Sequence, residues 1–222
     1  MKPFGIAVWV VALPLMLWAQ DKIQDFDSTE SKFAAVDKEF SDSSVAEGPY
    51  RAFIRFTTED AYILSTHRAP EYGRPAVQKF YGDFPAADSL VWTPIEARCS
   101  NDGSVGYTIG NYRYISKDSL GVYTTRTGKY MTVWKKQADG SLRAIADMGS
   151  PQQAVFDTSG NRISVRQALI RESTQDFLIE AGTYKIEEAR SVSGGNVQRG
   201  NYITAWRLIR AGMKKVVADY QN

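Results

Sequence analysis

A single cysteine, Cys99, and a single histidine, His67, are all that this 222-residue chain has of either residue. One cysteine excludes an intrachain disulfide, and one histidine leaves no histidine-rich metal site. Charge of one sign is lacking too: 27 Lys and Arg stand against 25 Asp and Glu, a net charge of +2. That balance excludes the basic footprint of a nucleic-acid-binding surface. No glycine-rich phosphate loop, serine nucleophile elbow or cluster of histidines and carboxylates occurs, so no cofactor and no metal are expected. What remains is 43% hydrophobic and 23% charged, the balance of an ordinary globular chain long enough to bury a core.

The one long apolar run lies at the amino terminus. Lys2 opens a short positive region, Ile6 to Leu17 is apolar apart from the break at Pro14, and Trp18-Ala19-Gln20 places a small residue where signal peptidase needs one. Residues 1–19 therefore read as a secretory signal peptide cleaved after Ala19. The competing reading is an uncleaved anchor, for which the run is short against the roughly 20 residues of a membrane span. No cysteine follows the run, so a lipid anchor is not expected. Export without structural disulfides points to a bacterial periplasm or the outside medium, with no stable membrane anchor after cleavage.

Downstream, helical spacing comes first. Phe33, Val36 and Phe40 predict an amphipathic helix capped by Asp27 or Ser28. Gly48 and Pro49 reset the chain into a second short helix through Tyr50, Phe53 and Ile54. An extended stretch runs from Asp60 to Ser65, and a third helix passes through Val77, Phe80 and Tyr81. From Val91 the pattern alternates with period 2. Val91, Ile95, Ala97 and Cys99 share one face against Trp92 and Pro94, Asn101-Asp102-Gly103 turns, and Tyr107 to Ile115 returns. Helices followed by antiparallel strands is an α+β order in which helices pack inside a strongly curved sheet.

The most regular stretch is Gly128–Asp147, GKYMTVWKKQADGSLRAIAD, and it recurs as Gly200–Asp219, GNYITAWRLIRAGMKKVVAD. Tyr130, Thr132, Trp134, Gly140 and Asp147 are matched by Tyr202, Thr204, Trp206, Gly212 and Asp219, all at an offset of 72. Taking Asp139-Gly140 as a two-residue hairpin turn places Thr132 opposite Asp147 and Trp134 opposite Ile145. Tyr130, Thr132, Trp134, Ile145 and Asp147 then share a mixed aromatic and polar face, while Met131, Val133, Ala144 and Ala146 form an apolar one. Between the copies, helical spacing runs from Ser164 to Gly182. Glu188-Ala189-Arg190 repeats Glu96-Ala97-Arg98, and the strand pair around Tyr107 to Tyr114 has no counterpart. Residues 20–152 read as one domain and 153–222 as a partial repeat of helix plus hairpin.

The segments VDKEFSDSSVAEGPYRAFIRFTTEDAYIL, GRPAVQKFY, WTPIEARCSNDGSVGYTIGNYRY and GKYMTVWKKQADGSLRAIADMGSP, about half the chain, resemble the nuclear transport factor 2-like superfamily. The likeness is to its SnoaL-like and ketosteroid-isomerase-like branch. The resemblance implies a cone of bent antiparallel sheet, a cystatin-like α+β barrel, with a pocket at its open end. It also implies homodimers formed through the outer face of the sheet.

Candidate chemistry follows from that pocket. Asp147 is the first candidate for a general base, since isomerases of the resembled family use an aspartate so placed. The plainer reading is that Asp147 bonds Thr132 across the strands, and its recurrence as Asp219 favours that. Asp60 is the second catalytic candidate. Tyr62, Trp92, Tyr107, Tyr112, Tyr130, Thr132 and Trp134 are the candidate ligand contacts, each with core packing as its plainer role. His67 with Arg68 reads as surface, and Cys99 as buried and inert. The preferred reading is an exported module binding a small hydrophobic or aromatic ligand. Its alternative is an isomerase, cyclase or dehydratase acting on a hydrophobic ketone or polyketide-like molecule through an aspartate base.

Overall fold

A computed structural model describes residues 27–66, 68–151, 162–188, 197–210 and 213–221. The leader and His67 lie outside the described residues. Helix α1 (Glu30–Glu47) starts where the Asp27 carboxylate accepts the amide hydrogens of Thr29 and Glu30 at 2.8 and 2.9 Å. Gly48, at φ 87°, breaks the chain into α2 (Pro49–Phe56), whose Pro49 occupies the first turn. Strand β1 (Thr57–Ser65) follows α2 directly, three residues earlier than the expected extended stretch; β2 (Glu71–Tyr72) and α3 (Gly73–Tyr81) come next. Four long strands complete the unit: β3 (Ser89–Cys99), β4 (Val105–Lys117), β5 (Tyr123–Lys136) and β6 (Leu142–Pro151).

The six strands form one sheet in the order β2-β1-β6-β5-β4-β3. It departs from the expected antiparallel sheet at one pair, because β1 runs parallel to β6. The helices fill its inner face, where Phe33, Phe40, Phe53, Trp92, Tyr130 and Trp134 make one buried cluster. Phe40 sits edge-on to Phe53 and Trp92, both at 4.7 Å between ring centres, a geometry that suits the ring quadrupoles.

Two bulges decide which side chains reach that inner face. The turn after β5 is longer than expected, Gln137 accepting from Gly140 and donating to Ser141, so its loop holds three residues, Ala138 to Gly140. A bulge at Ile145 then restores the register: Trp134 pairs with Ala144, while Thr132 still pairs with Asp147. The expected facing of Trp134 and Ile145 is therefore corrected. Ala144 joins Trp134 inside, and Ile145 joins Met131 and Val133 outside. A second bulge at Ile95 turns Trp92 to the same face as Ala97 and Cys99 rather than the opposite one.

Residues 164–182 are not a helix. Phe177 N–H donates to the Thr174 hydroxyl, and Thr174 N–H to the Phe177 carbonyl, a turn that splits the stretch into strands β7 (Arg162–Ser173) and β8 (Phe177–Glu188). With β9 (Val197–Arg210) and β10 (Met213–Gln221) they form a four-stranded meander, β10-β9-β8-β7. This second unit repeats β3 to β6, bulges included. The register shift at Val133/Trp134 recurs at Ala205/Trp206, and the shift at Pro94/Glu96 recurs at Ala168/Ile170. Strand β8 is the expected-missing counterpart of β4, since Gly110 pairs with Tyr130 as Gly182 pairs with Tyr202. Glu188 closes β8 and is thus no equivalent of Glu96. A Cβ at either glycine would fall 2.0 Å from a backbone oxygen of the bulged neighbour, Thr93 or Gln167. Among the described residues the second unit has no helix.

The two sheets pack face to face. Val105, Tyr107, Met131, Val133 and Ala146 of the first are buried in one cluster with Phe177, Ile179, Ile203, Ala205 and Ala218 of the second, and each of these pairs in turn is separated by the same offset of 72. Equivalent positions of two copies meeting across an interface is the arrangement of an isologous pair. Phe177 stacks on Tyr107 at 6.2 Å and 18°, and Arg207 reaches Asp176 at 2.7 Å and the Cys99 carbonyl at 3.2 Å. The outer face of the first sheet, where the resemblance implied a second subunit, is covered by the chain's own second sheet.

Candidate functional site

Between the inner face of the first sheet and α2 and α3 lies a cavity of about 300 Å³. Phe53, Ile63, Leu64, Tyr81, Leu90, Trp92, Tyr112 and Tyr130 make its apolar wall; Asp147 is its one ionisable carboxylate, and Ser65, Thr66 and Gly149 stand at its rim. Tyr81 is stacked on Phe53 at 4.0 Å, so α2 and α3 present their aromatic faces together.

Asp147 owes its position to β6. The residue sits opposite Thr132, whose hydroxyl donates to Oδ1 at 2.6 Å. Burial pushes its carboxyl up to about 7; the Thr132 bond opposes that rise and the nearby Asp37 adds to it. Beneath the aromatic wall, Asp37 of α1 is fully buried between Phe33 and Phe40. The Trp92 indole donates to its Oδ1 at 2.8 Å and the Tyr130 hydroxyl to its Oδ2 at 2.6 Å. Burial raises Asp37 to about 6 against the pull of these bonds. Asp37 therefore fixes the orientation of two aromatic rings of the cavity.

The hydroxyls of Tyr81 and Tyr112 make no hydrogen bond among the described residues. Burial raises both, and the charge of Asp147 raises Tyr81 further, so both phenols are neutral donors at physiological pH. The cavity thus offers an apolar wall, one carboxylate that titrates near neutrality and two uncommitted phenolic donors. That combination can bind an apolar molecule by its body and hold a polar end, or move a proton at that end.

The structure brings together Asp147, Trp92, Tyr112 and Tyr130 from the sequence candidates. Thr132 is buried behind Asp147 and acts through it. Four candidates lie elsewhere. Asp60 is exposed on β1 and borders an open groove with Arg74 and Gln137. Tyr62 points to the outer side and packs on Tyr72 at 4.9 Å. Tyr107 lies between the two sheets, because its strand position alternates away from the cone, and donates to Glu96 at 2.8 Å. Trp134 is wholly buried below the cavity, its indole donating to Thr108 at 2.9 Å. Phe53, Tyr81, Leu90 and Asp37 were missed. Asp37 had a signal: an acidic residue four positions after Phe33 and three before Phe40 interrupts an apolar helix face.

A second cleft of about 560 Å³ lies between α1 and the turns at Asp102 and Ser141. Its charges are exposed and in part committed to each other, Arg55 reaching Glu39 at 2.7 Å and Glu47 at 3.2 Å. Cys99 is buried and its thiol raised to about 11, first by burial and then by Glu30 and Asp27. Among the described residues no group of side chains is placed to hold a metal ion, and no helix is long and apolar enough to cross a membrane.

No protein-family model matches this chain, and no curated protein does. Similar solved structures include a ketosteroid isomerase-like protein from Erwinia carotovora, 15% identical over 57% of this chain and 98% of that one, with a TM-score of 0.48. A nuclear transport factor 2-like superfamily protein from Salmonella enterica is 13% identical over 60% and 96% of the two chains, TM-score 0.48. A putative calcium/calmodulin-dependent protein kinase II association domain from Xanthomonas campestris is 18% identical over 55% and 87%, TM-score 0.47. In this chain the first unit is α+β, with its helices held inside a curved sheet of order β2-β1-β6-β5-β4-β3, and a four-stranded sheet of order β10-β9-β8-β7 follows it.

Proposed function

We propose that this chain is an exported binding protein whose cone holds a small, largely apolar molecule with one hydrogen-bonding end. The supporting observation is the single carboxylate, Asp147, set among aromatic walls beside two free phenols. The apolar wall supplies most of the affinity, at roughly 25 cal/mol per Å² removed from water. Asp147, Tyr81 and Tyr112 select the polar end. A thermal-shift screen of residues 20–222 against steroids, polyketides and small aromatic ketones tests this reading. Stabilisation by one class, reduced in Tyr112→Ala, supports it, whereas no stabilisation by any class overturns it. The leader reading predicts that the exported protein begins at Gln20, which amino-terminal sequencing of secreted material checks.

A second reading is favoured by the Asp147 carboxyl, poised at about 7. In it Asp147 takes the proton α to a bound carbonyl, and the electron pair left behind passes to the carbonyl oxygen, which accepts a hydrogen bond from Tyr81 or Tyr112. Returning the proton to another carbon completes an isomerisation. Exchange of α-hydrogen for deuterium in a bound cyclic ketone, followed by NMR, tests it; the reading fails if Asp147→Asn exchanges as fast as the native chain. A homodimer, should one form, has to use a surface other than the covered outer face.

A further inference from the structure

We propose that the second sheet sets the rim of the cavity through Asn201, which makes Asn201 a positioning residue. The inference rests on the ligand-binding reading of the cavity. Asn201 lies on β9 with no exposure to solvent. Its side-chain amide donates to the Ser65 carbonyl at 2.8 Å and to the Arg68 carbonyl at 3.2 Å. Ser65 is the last residue of β1, paired with Gly149, and Arg68 lies on the chain that leaves the strand. Ser65 lines the cavity, as does Thr66, whose hydroxyl donates to the carbonyl of Gly149, another rim residue, at 3.4 Å.

An asparagine amide carries two hydrogens, one for each carbonyl. Aspartate, of the same size, has no hydrogen to give there and would oppose its charge to two carbonyl oxygens. Leucine fills the space and takes the amide donor from both carbonyls, leaving that of Ser65 with the Arg68 N–H at 3.3 Å.

The repeat shows that this contact is not a rule of the strand pair. The position of Asn201 in the first copy is held by Lys129, which is exposed. Tyr, Thr, Trp and Asp recur between the copies, and the copies diverge at the residue with which β9 reaches across to the rim. The opposite end of the sheet pair is held separately, by Arg207 on Asp176 and the Cys99 carbonyl. The two anchors can therefore be tested apart.

The experiment uses residues 20–222 and the dye 1-anilinonaphthalene-8-sulfonate as an apolar probe. Leu90→Trp, which fills the cavity, defines the cavity-bound part of the fluorescence. Asn201→Leu is expected to speed amide hydrogen exchange at Thr66 and Arg68 by about tenfold or more and to weaken cavity-bound dye about fivefold or more. Arg207→Leu is expected to lower Tm while leaving exchange at those amides and dye affinity as in the native chain. A purely structural role for Asn201 predicts instead that both variants weaken dye binding in proportion to the Tm lost, and that result overturns the proposal. Unchanged rim exchange in Asn201→Leu overturns it as well. Should that variant not fold, Asn201→Ser, too short to reach either carbonyl, gives the same reading. If the native chain binds no dye in the cavity, the ligand reading fails, and rim exchange alone still decides whether Asn201 holds the rim.

Discussion

Thr132 and Asp147 face each other across β5 and β6, joined by a hydrogen bond of 2.6 Å to one carboxylate oxygen. Oδ2 accepts no bond among the described residues, and Asp147 lines the cavity. One pair thus closes the strand ladder and supplies the polar spot of the site.

The raised carboxyl of Asp147 has a consequence for stability. Unfolded, the group ionises near the ordinary aspartate value of 3.8; folded, it keeps its proton up to about 7. The folded state binds more protons in that window, so stability is greatest below it and falls as pH rises through it. Asp37, raised to about 6, acts in the same direction over a narrower range. Urea unfolding between pH 4 and 8 is expected to show this decline. Asp147→Asn flattens it and is more stable than the native chain at pH 8, by at least about 1 kcal/mol.

Tyr130→Phe removes one of the two hydrogen bonds that aromatic rings of the cavity make to Asp37. The expected loss is about 1–3 kcal/mol. It grows from pH 5 to pH 8, because the carboxylate then ionises with one donor fewer. Denaturant midpoints at the two pH values check both the size and the trend.

Two glycines separate crowding from backbone strain. Gly110→Ala drives a Cβ to 2.0 Å from the Thr93 carbonyl oxygen and is expected to cost more than about 2 kcal/mol. Gly140 has open space around it but φ at +84°, so Gly140→Ala costs only about 1 kcal/mol through the left-handed backbone. The order of the two Tm values tests the assignment of the bulge at Ile95.

Phe177 is fully buried between the sheets against Tyr107. Phe177→Ala is expected to destabilise the chain by about 3–5 kcal/mol, whereas Leu120→Ala, at a position 87% exposed, stays within about 0.5 kcal/mol. Equal effects in thermal unfolding would mean that the two sheets do not pack as described.

Several parts of the architecture were legible because they rest on local chemistry. The caps and spacing of α1, the break at Gly48-Pro49 and the turn at Asn101-Gly103 each depend on a few neighbouring residues. The opposition of Thr132 and Asp147 was also legible, although by two compensating departures: a loop one residue longer than expected and one extra residue at Ile145. The failure at 164–182 has the opposite cause. Apolar residues at near-helical spacing there belong to two strands divided at Thr174, and their burial comes from a distant sheet, which no local window contains. Gly182 and Tyr184 do match Gly110 and Tyr112 at the offset of 72, so the missing strand had a signal in the repeat itself.

By itself the sequence determined the strand-building repeat, the helices that open the first unit and the aromatic character of its inner face, all properties of residues close along the chain. Only the tertiary structure decided which aromatics line the cavity. Tyr107 and Tyr112 stand five residues apart on β4 and alternation sends them to opposite faces, whereas the one-residue bulges at Ile95 and Ile145 turn Trp92 into the cone and Ile145 out of it. It also decided that Asp37 and Asn201 matter, since each acts through groups that long-range packing brings to it: Trp92 and Tyr130 for the first, two carbonyls at the rim for the second. Register and sheet packing are long-range, and a side chain's surroundings are set there.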